Sequence, residues 1–326
     1  MYRRSLLRAA LAAPAVSALA APALRAQTFD HPIRIIVPNA PGGTSDILAR
    51  LIAPDLTKAL GQSVVVENRA GAAGNIGADF VAKSPPDGHT ILLMDVSTLA
   101  INPSLFPRMP FDVQKDLAPV SMLLYAPYLL AAKNALPVKD VAELRAYARA
   151  NGGRGLNMAN AGVGSLTHLT SVEVGSYLGG EPVHVPYRGG APALTAVVSG
   201  EADVIINGAT ATQPYVVNGQ MKGLAVSGPK RLTALPNVPT FKEAGLPMDD
   251  AGTWQGLMVA GNTPRPVIER LVKETKAITE QSNIAAKFAD LGGEARVEGA
   301  DSFRAWLAKA TDEFGAIVRK NNIKPE

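Results

Sequence analysis

Four glycine-rich loops carry the residues best placed to do chemistry in this chain. The first, Pro38-Asn39-Ala40-Pro41-Gly42-Gly43-Thr44-Ser45-Asp46, follows the strand-like run Ile33-Arg34-Ile35-Ile36-Val37 and opens an amphipathic stretch beginning Ile47-Leu48-Ala49-Arg50. A strand that ends this way aims unpaired helix-start N–H groups above the sheet, where they hold a carboxylate or phosphate without a charged side chain. The second loop runs over 68–77 with Gly71, Gly74 and Gly77, and the third is Asn160-Ala161-Gly162-Val163-Gly164-Ser165-Leu166-Thr167-His168. The fourth is Tyr187-Arg188-Gly189-Gly190-Ala191-Pro192. Open α/β sheets bind ligands at the carboxyl ends of their strands, so such loops facing one another would clamp one anion from two sides.

Each loop also has a plainer reading. Gly42 and Gly43 suit a tight turn, and Thr44, Ser45 and Asp46 are ordinary helix-capping residues. Asp46 would repel an anion at close range, so it reads as a dipole and capping residue. The glycine spacing of the second loop is not G-x-G-x-x-G and lacks a Lys-Ser/Thr ending, which argues against a nucleotide.

Catalysis finds little footing. The absence of cysteine removes disulfides, thiolate chemistry and Cys-ligated zinc together. His31, His89, His168 and His184 are the only histidines, none in an H-E-x-x-H pair, and no serine sits in a G-x-S-x-G elbow. Ser165, His168 and Asp203 leave open an exported hydrolase or isomerase, although His168 reads sooner as a packing or loop-bracing residue and Asp203 as easily as a turn residue. No metal and no cofactor is expected.

The elements that position these loops alternate as in an α/β protein. Strands are expected at 33–37, 64–67, 90–94, 128–132, 156–159, 183–186, 203–206, 223–227 and 256–260. Helices are expected at 45–60, 76–83, 141–151, 166–178, 191–199, 266–281, 284–291 and 302–321, the first kinked or ended early by Pro54. Apolar passages near 116–128 and 254–259 read as two crossings between domains. They divide the chain into an α/β, two-lobed fold with a hinge: lobe I at 27–124 and 252–326, lobe II at 125–251.

Residues 1–26, with Arg3, Arg4 and Arg8 ahead of an Ala/Leu/Val-rich run, read as an export signal by the twin-arginine or the general secretory route. That segment holds four of the 32 basic residues and none of the 28 acidic ones, so the remaining chain is balanced in charge. Neither nucleic acid nor insertion into a membrane is implied, and a disulfide-free exported protein suits a periplasm.

Together the motifs resemble the Bug-type substrate-binding receptors of tripartite tricarboxylate transporters. The matching residues are Pro41-Gly42-Gly43 with Asp46 and Ala49-Arg50, Val65-Val66-Glu67-Asn68-Arg69 with Gly71 and Gly74, and His168-Leu169. Val185-Pro186-Tyr187-Arg188-Gly189 and Leu235-Pro236-Asn237-Val238-Pro239-Thr240 with Glu243-Ala244-Gly245 complete the set. The resemblance implies a Venus-flytrap fold of the periplasmic-binding-protein kind, each lobe a sheet flanked by helices. It implies a monomer without enzymatic activity that takes a dicarboxylate, amino acid or aromatic acid in an interdomain cleft and hands it to membrane permease components. A sensor feeding a signalling partner is the alternative on the same fold. Carried onto this chain, the resemblance points to Asn39, Ala40, Gly43 and Thr44 on the first lobe and to Gly164, Ser165 and Thr167 on the second. Ser97, Thr98, Arg188 and Asn207 are nominated for the far end of the ligand, with Arg188 either pairing a second carboxylate or bracing its loop. The sequence departs from the family pattern at Leu194-Thr195-Ala196-Val197-Val198 and at Asn207-Gly208-Ala209-Thr210-Ala211-Thr212, so ligand identity does not transfer.

Overall fold

The computed structural model describes residues 29–150, 156–179, 182–248 and 251–324. The proposed export signal lies outside the described residues. The strands are β1 (Ile33–Val37), β2 (Val64–Asn68), β3 (Thr90–Asp95), β4 (Leu117–Lys133), β5 (Asn157–Asn160), β6 (Val183–Pro186), β7 (Val204–Gly208), β8 (Met221–Val226), β9 (Gly252–Ala260) and β10 (Glu294–Ala295). The helices are α1 (Thr44–Leu60), α2 (Asn75–Ala82), α3 (Val96–Leu105), α4 (Val141–Ala150), α5 (Leu166–Leu178), α6 (Gly190–Ser199), α7 (Ala209–Val217), α8 (Arg265–Thr279), α9 (Ser282–Asp290) and α10 (Ala300–Lys320).

The strands run β2-β1-β3-β9-β4-β7-β5-β6, with β8 and β10 joined to β4. Within this order β2-β1-β3 and β7-β5-β6 are parallel sets, while β9 and β4 run antiparallel to their neighbours. Parallel strands are covered on both faces and so read as continuous apolar runs. In β1, Ile33, Ile35 and Val37 enter one core cluster and Ile36 another.

β4 explains the two-part shape. Over Leu117–Pro127 it pairs with β9, and over Tyr128–Lys133 it pairs with β7 and β8. The expected passage at 116–128 and the expected strand at 128–132 are therefore one strand. Two prolines hid its continuity: Pro119 sits at a register shift, and Pro127 stands where β4 exchanges partners.

Several expectations need correction. α1 continues through Pro54 to Leu60. Pro54 is exposed, so the carbonyl it leaves unpaired faces water instead of the core. Helices α3 and α7 stand where no helix was expected; each contains a proline, and α3 is buried nearly all round, which erases the amphipathic period. The closing helix α10 was legible: Phe303, Leu307 and Ala310 pack into a core with β3 and α3. Its end crosses to α5, where Asn321 donates to Glu173 at 3.0 Å and Val318 joins the core around β5 and β7.

Candidate functional site

Six helices begin around one cavity, and they differ in how their first turns are closed. α1, α2, α6 and α7 carry glycine at the N-cap (Gly43, Gly74, Gly189 and Gly208), and no side chain caps any of them. Gly43, Thr44, Ser45, Gly74, Gly190 and Gly208 all line a cavity of about 70 Å³. The remaining two are capped: Asp95 accepts from the Ser97 N–H at α3, and Ser165 from the His168 N–H at α5. An uncapped start presents N–H groups and the positive end of the helix dipole; at α2 a 3₁₀ turn over Ala72–Gly74 already takes the Gly74 and Asn75 N–H groups, and four dipole ends converging on one space favour an anion there.

Behind the first loop, Asp46 is spent on bracing. It accepts from the Gly42 N–H at 2.9 Å and from Asn68 at 3.0 Å, and it pairs with Arg50 at 3.0 Å. Burial works to raise its pKa, but the hydrogen bonds from Arg50, Gly42 and Asn68 hold it below the ordinary carboxylate value. Its charge is neutralised outside the cavity wall.

The third loop is organised differently, and it presents no open nest. The N–H of Ala161 goes to Thr167 Oγ1 at 3.1 Å, that of Gly162 to Asn160 at 3.0 Å and that of Gly164 to His168 Nδ1 at 3.2 Å. The second side's free N–H groups come instead from the starts of α6 and α7. Gly164 has φ +76°, and a Cβ there would stand 1.8 Å from Leu105 Cδ2 at the end of α3. That close approach, together with the Ala40 N–H on the Arg188 carbonyl at 3.4 Å, joins the two sides of the cleft.

Of the residues nominated from sequence, Asn39, Gly43, Thr44, Thr98, Ser165, Thr167 and Asn207 come together on the inner cavity. Arg188 lines an adjoining outer chamber of about 250 Å³, with Pro38, Asn39, Gly71–Gly74, Phe106, Ala161 and Tyr187. Ala40, Ser97 and Gly164 line neither: Ala40 makes the cross-cleft bond, Ser97 is buried beside Asp95, and Gly164 sits against Leu105.

Sequence reasoning missed Asp95, Tyr128, Thr253 and Gln255, which complete the inner wall. Asp95 was one residue away, since it ends β3 and therefore stands at a carboxyl strand end like the loops themselves. Burial pushes Asp95 up to about 6, against hydrogen bonds from Ser97, Thr253 and Trp254 that pull it down. Burial, and then the neighbouring Asp95 charge, raise Tyr128 well above its ordinary value, so its phenol keeps its proton. Trp254 packs against Tyr125 and Trp306 at ring distances of 4.9 and 5.6 Å, on the face of β9 opposite Thr253 and Gln255.

The hydrolase alternative loses its geometry. Ser165 Oγ donates to the Gly162 carbonyl at 2.7 Å and pairs with Thr167, while His168 Nδ1 is occupied by Gly164. Burial, with His184 adding to it, lowers His168 to about 4, which suits a bracing imidazole. Asp203 precedes β7, ~13 Å of strand from the cavity end at Asn207, and is taken up by Lys133 and the Asn157 N–H.

One group of metal-ligand side chains, Asp30, His31 and His89, comes together among the described residues. The imidazoles of His31 and His89 stack at 3.5 Å with planes only 8° apart. Near-parallel rings share no point lying in both planes, so this arrangement cannot hold one ion between them. No described helix is long and apolar enough to cross a membrane.

Comparison with known proteins agrees with this geometry. The family model described as "Tripartite tricarboxylate transporter family receptor" matches residues 48–323. The chain is 34% identical to Protein BugT of Bordetella pertussis, over 95% of each sequence. The structure of the periplasmic binding protein BugD superposes with a TM-score of 0.86 at 29% identity, over 91% of this chain and 100% of that one. An R. palustris protein solved with adipate gives a TM-score of 0.86 at 31% identity, over 91% of this chain and 99% of the other. These likenesses carry the two-lobed periplasmic-binding-protein fold and place the chain among solute receptors and not among enzymes. The chain belongs to the receptor family of the tripartite tricarboxylate transporters.

Proposed function

We propose that this receptor captures a small organic acid between two lobes, residues 27–124 with 252–326 and residues 125–251, and delivers it to the permease components of a tripartite transporter. The observation that carries the reading is the convergence of four uncapped, glycine-started helices on one cavity. The adipate found with the R. palustris relative is a ligand of the matching chemistry. The protein acts as a monomer in the periplasm, reached through export directed by residues 1–26.

The mechanism is closure. A carboxylate held at the starts of α1 and α2 meets those of α6 and α7 only when the lobes come together, so the ligand stabilises the closed form by contacts the open form lacks. Asn39, Thr44, Thr98, Ser165, Thr167 and Asn207 supply hydroxyl and amide groups around it, and Arg188 stands at the outer mouth. Native mass spectrometry of freshly purified protein should reveal a bound small acid, and solution scattering should show a smaller radius of gyration on saturation. A neutral ligand, or saturation with no change in radius, would overturn the reading.

A further inference from the structure

The cavity wall is not uniformly suited to an anion. α3, the one lobe I helix that starts here with a capping side chain, is closed by a carboxylate. Asp95 Oδ1 is used twice, by the Ser97 N–H at 3.0 Å and the Trp254 N–H at 3.3 Å. The Thr253 side chain also hydrogen-bonds the carboxylate, whose other oxygen meets the Tyr128 hydroxyl at 3.5 Å, a length at which little hydrogen bonding remains. Asp95 keeps partial exposure while Met94, Val96 and Ser97 on either side are buried, and it lines the cavity. Close by on β9, Gln255 is 1% exposed, gives its amide N–H to Thr253 Oγ1 at 2.5 Å, and has an Oε1 that accepts no hydrogen bond from the described residues. It lines the same cavity.

A carboxylate and an amide oxygen without a donor thus share the wall of a space whose other openings are donors. A ligand carrying only carboxylates satisfies the helix starts, leaves Gln255 Oε1 without a donor and brings its own charge against that of Asp95. An acid that also carries a hydroxyl or ammonium group satisfies both sets. We propose that Asp95, seconded by Gln255, is a specificity residue that selects hydroxy- or amino-substituted acids over their unsubstituted counterparts. This rests on the carboxylate-receptor reading above. Capping accounts for Oδ1 of Asp95; it does not account for a carboxylate on the cavity wall or for the open Oε1 of Gln255.

Calorimetric titration at pH 7.5 with succinate, malate and aspartate, and with adipate and 2-aminoadipate, tests it. Wild-type protein should bind at least one donor-bearing acid about tenfold or more tighter than its unsubstituted partner, the size expected of a hydrogen bond to a buried charge. The malate and aspartate arms separate hydroxyl from ammonium. Asp95→Asn keeps an N-cap acceptor and the shape of the side chain, and it should reduce the preference to within about threefold while the unsubstituted acid binds as well or better. Equal binding of substituted and unsubstituted acids by wild-type protein would overturn the proposal, as would a preference surviving in Asp95→Asn. Should the variant fail to fold, the wild-type comparison decides alone. Binding of none of these acids would also overturn the proposal, an outcome distinct from binding without preference, and the carboxylate reading itself is decided by the ligand that native mass spectrometry reveals.

Discussion

The loop between β1 and α1 and the loop between β5 and α5 face the same cavity with similar glycine-rich sequences, yet one is held by charge and the other by neutral groups. In the first, buried Asp46 sits behind the loop, takes the Gly42 N–H and is neutralised by Arg50, which leaves the Gly43 cap open. In the second, Ser165, Thr167 and His168 fold their polar atoms back onto the loop's own N–H groups. The first loop can therefore offer its backbone to a ligand, whereas the second offers hydroxyls and a close approach to the opposite wall. The difference follows from where the bracing group stands: behind the loop it frees the N–H groups, within the loop it consumes them.

The sharpest way to break this division is at the close approach. Gly164→Ala puts a Cβ into Leu105 and forces alanine into a left-handed backbone. Overpacking costs ~1–3 kcal/mol and the backbone ~1–2 kcal/mol. The backbone cost falls on the fold as a whole and the overpacking on the closed form, so ligand affinity should drop by about 5-fold or more, at ~1.4 kcal/mol per tenfold. In the double variant Leu105→Ala/Gly164→Ala the steric part should disappear, giving a favourable coupling in a double-mutant cycle of titrations. Additive losses would show that the two residues do not meet in the liganded state.

Asp46→Asn tests the charged brace. Arg50 is half exposed and can turn to water, so the loss is that of a charge-assisted hydrogen bond, ~1.5–3 kcal/mol in urea unfolding. The equivalent change on the other side, Ser165→Ala, removes an N-cap and should cost ~1 kcal/mol. If Ser165→Ala proved the more damaging, the assignment of charged bracing to one loop and neutral bracing to the other would be wrong.

Both loops were legible in the sequence for a physical reason: backbone at positive φ beside a helix start calls for glycine, and glycine is visible. Gly42, Gly74, Gly164 and Gly189 all have positive φ. What the sequence concealed lies where local and tertiary signals conflict. α3 has no amphipathic stripe because nearly all its residues are buried, and its Pro103, like Pro214 of α7, argued against a helix that tertiary packing nonetheless forms. Asp95 was lost with α3, since a strand ended at Met94 and no helix after it left the carboxylate without an element to cap. Thr253 and Gln255 come to the cavity through the pairing of β9 with β3 and β4, a long-range arrangement that no local pattern announces.

The smallest effect is also the one that compares the two sides in a single measurement. His168 is held neutral in the fold, down at about 4 against an ordinary value of 6.5, so the unfolded chain binds its proton first and stability is lost as pH falls from about 6.5 towards 4. His184, lowered by burial, acts in the same direction. Asp95 does the opposite: raised to about 6 from an ordinary 3.8, it binds its proton in the folded state first, so stability is gained as pH falls from about 6 towards 3.8. The carboxylates held low, such as Asp46 and Glu243, begin to withdraw their support only as pH falls through their unfolded values near 4. Between pH 6.5 and 4.5 the first wall and the second thus pull against each other, and wild-type stability should vary little. Asp95→Asn removes one side of the balance, so its urea midpoint should decline on acidification through this range. His168→Asn, which keeps an acceptor for the Gly164 N–H, removes much of the other, and its midpoint should decline less than that of wild type or rise. Identical pH profiles for the two variants would mean that neither group is buried as the fold places it.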